Sequence, residues 1–210
     1  MAIAIKFLKR ARQRRWRMRV SREKAAENRD RILTEAARLF RERGLSGVGV
    51  DALTEAAGLT HGSLYSRFGS KERLAAEAVG HAASTSADRM ADAATLADYV
   101  ARYLSPEHRE RRGGGCVVAA LGSEIPRQGA AIRHSFTDAT RSMVKRIARL
   151  LPGRRADAAL ATTATMVGAL ILARAVDDPE FSDRILAAAR TQLLSCRART
   201  PSRRRSRASA

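Results

Sequence analysis

Apolar positions recur at helical spacing from about residue 21 to residue 196, punctuated by glycines and prolines. The punctuation is densest between Val48 and Leu74. There Val50, Leu53 and Ala57 share one face of a short helix. Gly58 stops it, because a residue without a Cβ takes the left-handed C-cap conformation without penalty. Thr60 is a good N-cap for a second short helix, His61 to Phe68, with Leu64 and Phe68 four apart on one face. Gly69 ends it, Ser70 caps again, and Lys71 opens a longer helix. Helix, glycine-containing turn, short helix is the helix-turn-helix pattern, whose second helix enters the major groove of DNA.

Upstream, Ile32, Ala36, Leu39 and Phe40 form the apolar stripe of a helix expected from about Ser21 to Arg43, with Arg29, Arg31, Arg38 and Arg41 mostly on the other face. Downstream, the helix from Lys71 to about Met90 is expected to kink or stop early at Gly80 or Ser84-Thr85-Ser86. Further helices follow over Ala91–Leu104, from Cys116 to before Pro126, over Arg127–Leu151, from Arg154 to about Val176 and over Pro179–Ser195. Pro106 and the EHRERRGGG stretch read as a loop. The last two helices are apolar on more than one face, which a second copy would cover as a four-helix bundle.

Gly44-Leu45, Ala56-Ala57-Gly58-Leu59, Thr60-His61-Gly62-Ser63-Leu64-Tyr65, Phe68 and Ser70-Lys71-Glu72-Arg73-Leu74 resemble the amino-terminal domain of tetracycline-repressor (TetR) type regulators. The resemblance covers about Ser21 to Val79. It implies an all-α fold: a three-helix helix-turn-helix DNA-binding domain followed by a helical ligand-binding and dimerisation domain. It also implies a homodimer that reads a palindromic operator, represses, and is released by a small-molecule, electrophile or oxidant inducer. On the matching positions the DNA contacts are Thr60, His61, Gly62, Ser63, Tyr65 and Lys71, with Arg67 a further contact. Thr60 and the backbone at a helix start suit phosphate. His61 and Ser63 sit where side chains reach base edges. Gly49 departs from the family, which often carries Ser or Thr there; it keeps the N–H and loses a capping hydroxyl.

Composition changes this picture mainly at the ends. The formal charge is +19, yet residues 1–20 carry eight Lys/Arg and no acid, and residues 197–210 carry six Arg and no acid. Those fourteen charges leave about +5 for the rest. Four regions follow: a basic extension over 1–20, expected to be disordered or a frayed helix; a DNA-binding domain over 21–79; a ligand-binding and dimerisation domain over 80–196; and a disordered basic tail over 197–210. Translation is expected to start at Met18. A second reading is a sequence-indifferent nucleic-acid binder driven by the tails. Two cysteines far apart, Cys116 and Cys196, favour a reducing cytoplasm over a disulfide framework. The apolar run Met166–Ala173 is too short to span a bilayer, so no membrane partner is expected.

Enzymatic chemistry finds little support. His61, His81, His108 and His134 are scattered, no His/Cys/carboxylate set has metal-ligand spacing, and no nucleophile elbow or phosphate loop is present. No enzyme activity, cofactor or metal is expected. Two readings of Cys116 stay open: a thiolate-prone sensor at a helix start beside Arg109, Arg111 and Arg112, or a small buried core residue. Tyr99, Tyr103, Phe136, Met143 and Met166 are the other candidates for a ligand pocket among the middle helices, though aromatic and Met stripes at this spacing are usually plain core, and His134 is ambiguous in the same way.

Overall fold

Between Ala2 and Arg43 the chain has no glycine or proline, and all of it forms one helix, α1 (Ala2–Arg43), in a computed structural model that describes the backbone of residues 2–195 and the side chains of residues 23–195 apart from 154. The helix start expected near Ser21 therefore falls inside a continuous helix. Arginine, alanine and leucine are strong helix formers, and nothing in the run interrupts them. The tail expected over 197–210 lies outside the described residues.

The stripe Ile32, Ala36, Leu39 and Phe40 is buried. It packs on α2 (Val50–Ala57) and on α4 (Lys71–Arg89), with α3 (His61–Phe68) between them in sequence. Gly44 ends α1 at φ +76°. The amides of Leu45 and Ser46, just past it, donate to the Glu124 carboxylate at 3.0 and 3.4 Å. An acid from the second half of the chain thus receives the orphan amides of the turn behind the first helix.

Gly58 is left-handed (φ 63°, ψ 42°) and ends α2; Gly49 precedes α2 without a side-chain cap bond. Helix α4 runs nineteen residues through Gly80 and Ser84-Thr85-Ser86 without the expected break. Burial of Leu74, Ala75, Ala78, Val79 and Ala82 against α1 and α8 (Ala130–Leu150) outweighs the weak local propensity. The fifth helix, α5, is shorter than expected, Leu96–Tyr103, because Thr95 and Asp98 form a capping box that sets its start. Where a loop was expected, Ser105 caps a single-turn helix, α6 (Pro106–Glu110), with Pro106 in the first turn. The short α7 (Val117–Leu121) starts one residue after Cys116. Pro126 lies in a 3-10 turn, Ile125–Arg127, which delays α8 to Ala130.

The closing pair α9 (Ala156–Ala175) and α10 (Pro179–Ser195) pack on each other, and α9 also packs on α8. Ser182 pins their connection: its hydroxyl donates to the Ala173 carbonyl at 2.6 Å and accepts from Arg109 at 2.7 Å. The described residues form ten α-helices and no strand. The buried apolar residues make one continuous core through both halves.

Gly44→Ala is expected to destabilise the protein by at least about 1 kcal/mol, because the site needs positive φ and an added Cβ collides with the Glu124 carboxylate. Glu124→Ala should lose about 1–3 kcal/mol by orphaning two amides. Urea unfolding of both single variants and the double variant should show non-additive losses.

Candidate functional site

Helix α3 buries Leu64 and Phe68 and turns His61, Gly62, Tyr65, Ser66 and Arg67 outward. The Thr60 hydroxyl accepts from the Ser63 amide at 3.2 Å, fixing the first turn, and Ser63 itself is half-buried. Tyr65 is 47% exposed, large for an aromatic on a packed helix. His61 Nε2 lies 2.6 Å from Asp51 Oδ1 on α2, with both side chains exposed. At the far end of α3, the Arg29 guanidinium stacks 4.5 Å over the Phe68 ring, donates to the Arg67 carbonyl and pairs with Glu77. Arg29 thereby locks α3 between α1 and α4. The Lys71 ammonium is half-buried and donates to the Leu45 carbonyl at 3.2 Å. The result is a short, rigidly held helix presenting donors and an aromatic hydroxyl, which suits phosphate and base-edge contact.

Behind it, α4, α5, α8 and the loop entering α7 enclose a cavity of about 520 Å³. Tyr99, Val118, Ala139 and Met143 supply much of an apolar wall. His108 forms part of the polar end. Its Nδ1 lies 2.6 Å from the Tyr103 carbonyl and its Nε2 accepts the Cys116 amide at 3.0 Å, so the neutral tautomer carries its proton on Nδ1. Burial lowers the His108 pKa, with Arg174, Arg111 and Arg89 adding to the effect and the Tyr103 carbonyl opposing it. Burial pushes Tyr99 up to about 12 and Tyr103 well above its ordinary value. The Tyr103 ring meets His108 edge-on, centroids 4.7 Å apart. Its hydroxyl is the one buried side-chain polar atom without a hydrogen-bond partner among the described residues.

The Gly113-Gly114-Gly115 loop joins the cavity to the first half of the chain. Arg41 on α1 donates to the Gly113 carbonyl at 2.6 Å, Arg89 on α4 to the Gly114 carbonyl, and Ser86 on α4 to the Gly115 carbonyl at 3.4 Å. Burial, with Arg89 nearby, brings the Arg41 pKa down to about 10. Arg174 on α9 donates to the carbonyls of Arg109 and His108 at 3.0 and 2.7 Å.

Comparison with known proteins places this architecture. The sequence profile of bacterial regulatory proteins, tetR family, matches residues 32–78. An uncharacterized HTH-type transcriptional regulator of Mycobacterium tuberculosis is 30% identical over 168 residues, which is 70% of this chain and 84% of that protein. The chain belongs to the tetR family. The HTH-type regulator LmrA of Bacillus subtilis is 39% identical over 67 residues, 31% of this chain and 36% of its own. A TetR transcriptional regulator from Chloroflexus aurantiacus superposes with TM-score 0.70 at 27% identity, covering 84% of this chain and 97% of the other. Reduced NemR of E. coli shares the fold, with TM-score 0.67 at 18% identity and 80% and 96% coverage. This tetR-family chain is thus an all-α transcriptional regulator, a DNA-binding helix-turn-helix followed by a helical carboxy-terminal part.

Within the tetR-family fold, the sequence-predicted pocket residues separate. Tyr99, Tyr103, Cys116 and Met143 line the cavity. Met166 is fully buried in the core and Phe136 is half-buried, neither lining it. His134 is exposed on α8, 3.3 Å from Asp138 one turn on. Cys116 is buried from bulk solvent and lines the cavity. Sequence reasoning missed His108, Arg89, Arg111 and Arg146, all on the cavity wall. It also gave Arg41 no role beyond the face opposite the apolar stripe, where the structure packs it, largely buried, against the glycine loop. The signal for His108 was legible in principle: Ser105-Pro106 is an N-cap and first-turn pair that sets a helical turn before the glycines.

The buried neutral His108 gives a signed pH effect. Its folded pKa lies below the unfolded value of 6.5, so protons bind the unfolded chain first. Stability is full above about pH 6.5 and declines as the pH falls towards the lowered folded pKa. Denaturant unfolding from about pH 7.5 down to about pH 5 should show this decline, with a flatter slope in His108→Gln.

Proposed function

We propose that this regulator is a cytoplasmic repressor that binds a palindromic operator as a homodimer and is released by a small molecule entering the cavity behind α4. The observation that carries the reading is the double role of α4. It begins at Lys71, capped by Ser70 directly after α3, and its other end walls the cavity with Ser86, Arg89 and the capping Met90. A ligand that fits only one angle of α4 would shift the balance between two spacings of the reading heads. In this reading residues 21–79 bind DNA and residues 80–196 bind ligand and dimerise.

The DNA contacts proposed are Thr60, His61, Gly62, Ser63, Tyr65, Arg67 and Lys71. Support comes from the outward set of His61, Gly62, Tyr65 and Arg67 on α3 and from the Thr60 cap. Dimerisation is supported by the far side of α9 and α10, where Leu160, Leu172 and Phe181 are 55%, 56% and 47% exposed. Taken whole, α9 is long and apolar enough to cross a membrane by length and composition, unlike the shorter run considered from sequence. Its packing against α8 and α10, with Leu160, Ala164, Gly168 and Leu172 along one ridge, fits a helix that pairs with its twin.

Gel shifts on DNA from upstream of the gene test the contacts. Tyr65→Phe and Lys71→Ala should weaken binding to matched and scrambled operators alike, the latter lowering the salt slope by about 1. Changes at His61 or Ser63 should relax sequence preference by about 1–3 kcal/mol. Deleting residues 1–17 and 198–210 should leave specific binding intact; its collapse would favour the tail-driven alternative. Equal losses on both DNAs for all four substitutions would defeat the contact assignment.

For the dimer, Leu172→Asp and Phe181→Asp should give a folded monomer in sedimentation velocity with no operator binding. A wild-type protein that sediments as a monomer at micromolar concentration would sink the dimer reading.

A further inference from the structure

We propose that the cavity is built for an organic acid, a molecule with a largely apolar body and one carboxylate received by Arg89 and Arg111 beside His108. This rests on the effector-cavity reading and adds the chemical class of the effector.

The loop end of the cavity carries more cations than anions. Arg89 and Arg111 line it, and Arg41 and Arg174 stand against the same glycine loop. Among the described residues none of these four has a carboxylate within ion-pair distance. Arg41, Arg89 and Arg174 donate instead to the carbonyls of Gly113, Gly114, Arg109 and His108, and no hydrogen bond of the Arg111 side chain is seen among those residues. The charges felt by His108 are all guanidinium groups. Of the nearby acids, Glu42 pairs with Arg38 and Glu110 with Arg109; Glu107 stands exposed at the rim, within the field of Arg111, and is outnumbered on the wall by Arg89, Arg102, Arg111 and Arg146. A concave site with a net positive wall concentrates anions.

The make-up of the rest of the wall sharpens the class. Tyr99, Val118, Ala139 and Met143 make much of the remaining wall apolar, with Ser142 and Arg146 among them, so the body of the molecule is largely apolar. A cation would find repulsion from the arginines.

Isothermal titration of the full chain with 2-naphthoate and dodecanoate, each against its uncharged analogue (2-naphthamide, dodecan-1-ol), tests this. The acids should bind at least about tenfold tighter. Arg89→Gln and Arg111→Gln should each cut that preference to below about threefold while leaving the neutral analogue's affinity unchanged. Arg111 is exposed, so its variant is not expected to lose the fold. Equal binding of acids and analogues, or a preference that survives both arginine variants, overturns the proposal. If the neutral analogues bind and displace operator DNA, the effector cavity stands and its charge preference falls. If no member of either class binds, both fall.

Discussion

Three consecutive glycine carbonyls, at residues 113 to 115, receive side chains from two different helices, and the rest of the structure is arranged around that meeting. Arg41 reaches them from the scaffold helix of the DNA-binding half; Arg89 and Ser86 reach them from the helix that connects to the other half. The crowding explains why glycine stands there. A Cβ at Gly113 would collide with the Glu42 carboxylate, and one at Gly115 would come within 2.8 Å of the Arg111 carbonyl. Because the same loop leads directly into Cys116 and the cavity wall, backbone position at the cavity and helix position at the reading head are tied through a few strong, charge-assisted bonds.

Much of the first half was legible in the sequence, because its signals are local. Gly58, Thr60 and Ser70 each dictate a cap through their own backbone or hydroxyl, and α3 and α4 start after those caps. The apolar stripe of α1 likewise follows from its spacing. What sequence could not show is where long cationic side chains end. Arg41 and Arg29 read as lying mostly on the face away from the apolar stripe, yet one is folded into a glycine loop and the other is laid across Phe68. Their destinations, Phe68 and Gly113, lie 39 and 72 positions away, which periodicity does not encode.

The second half was harder because its breaks compete with packing. Gly80 and three hydroxyl residues argue locally for a break, and burial of one face of α4 against two other helices overrides them. In the opposite sense, the EHRERRGGG stretch looked structureless, but Ser105 and Pro106 start a turn of helix that delivers His108 to the cavity. His134, Phe136 and Met166 were plausible by residue type alone, and only the three-dimensional arrangement separates wall from core and surface.

The contact between His61 and Asp51 has a consequence for recognition itself. An exposed pair of this kind is worth about 0–1 kcal/mol, so it orients the imidazole without committing it. With His61 in the DNA-contact role proposed for it, docking would be an exchange of partners: a base or phosphate would have to displace a carboxylate already in place, and duplexes that offer His61 nothing better would leave it on Asp51.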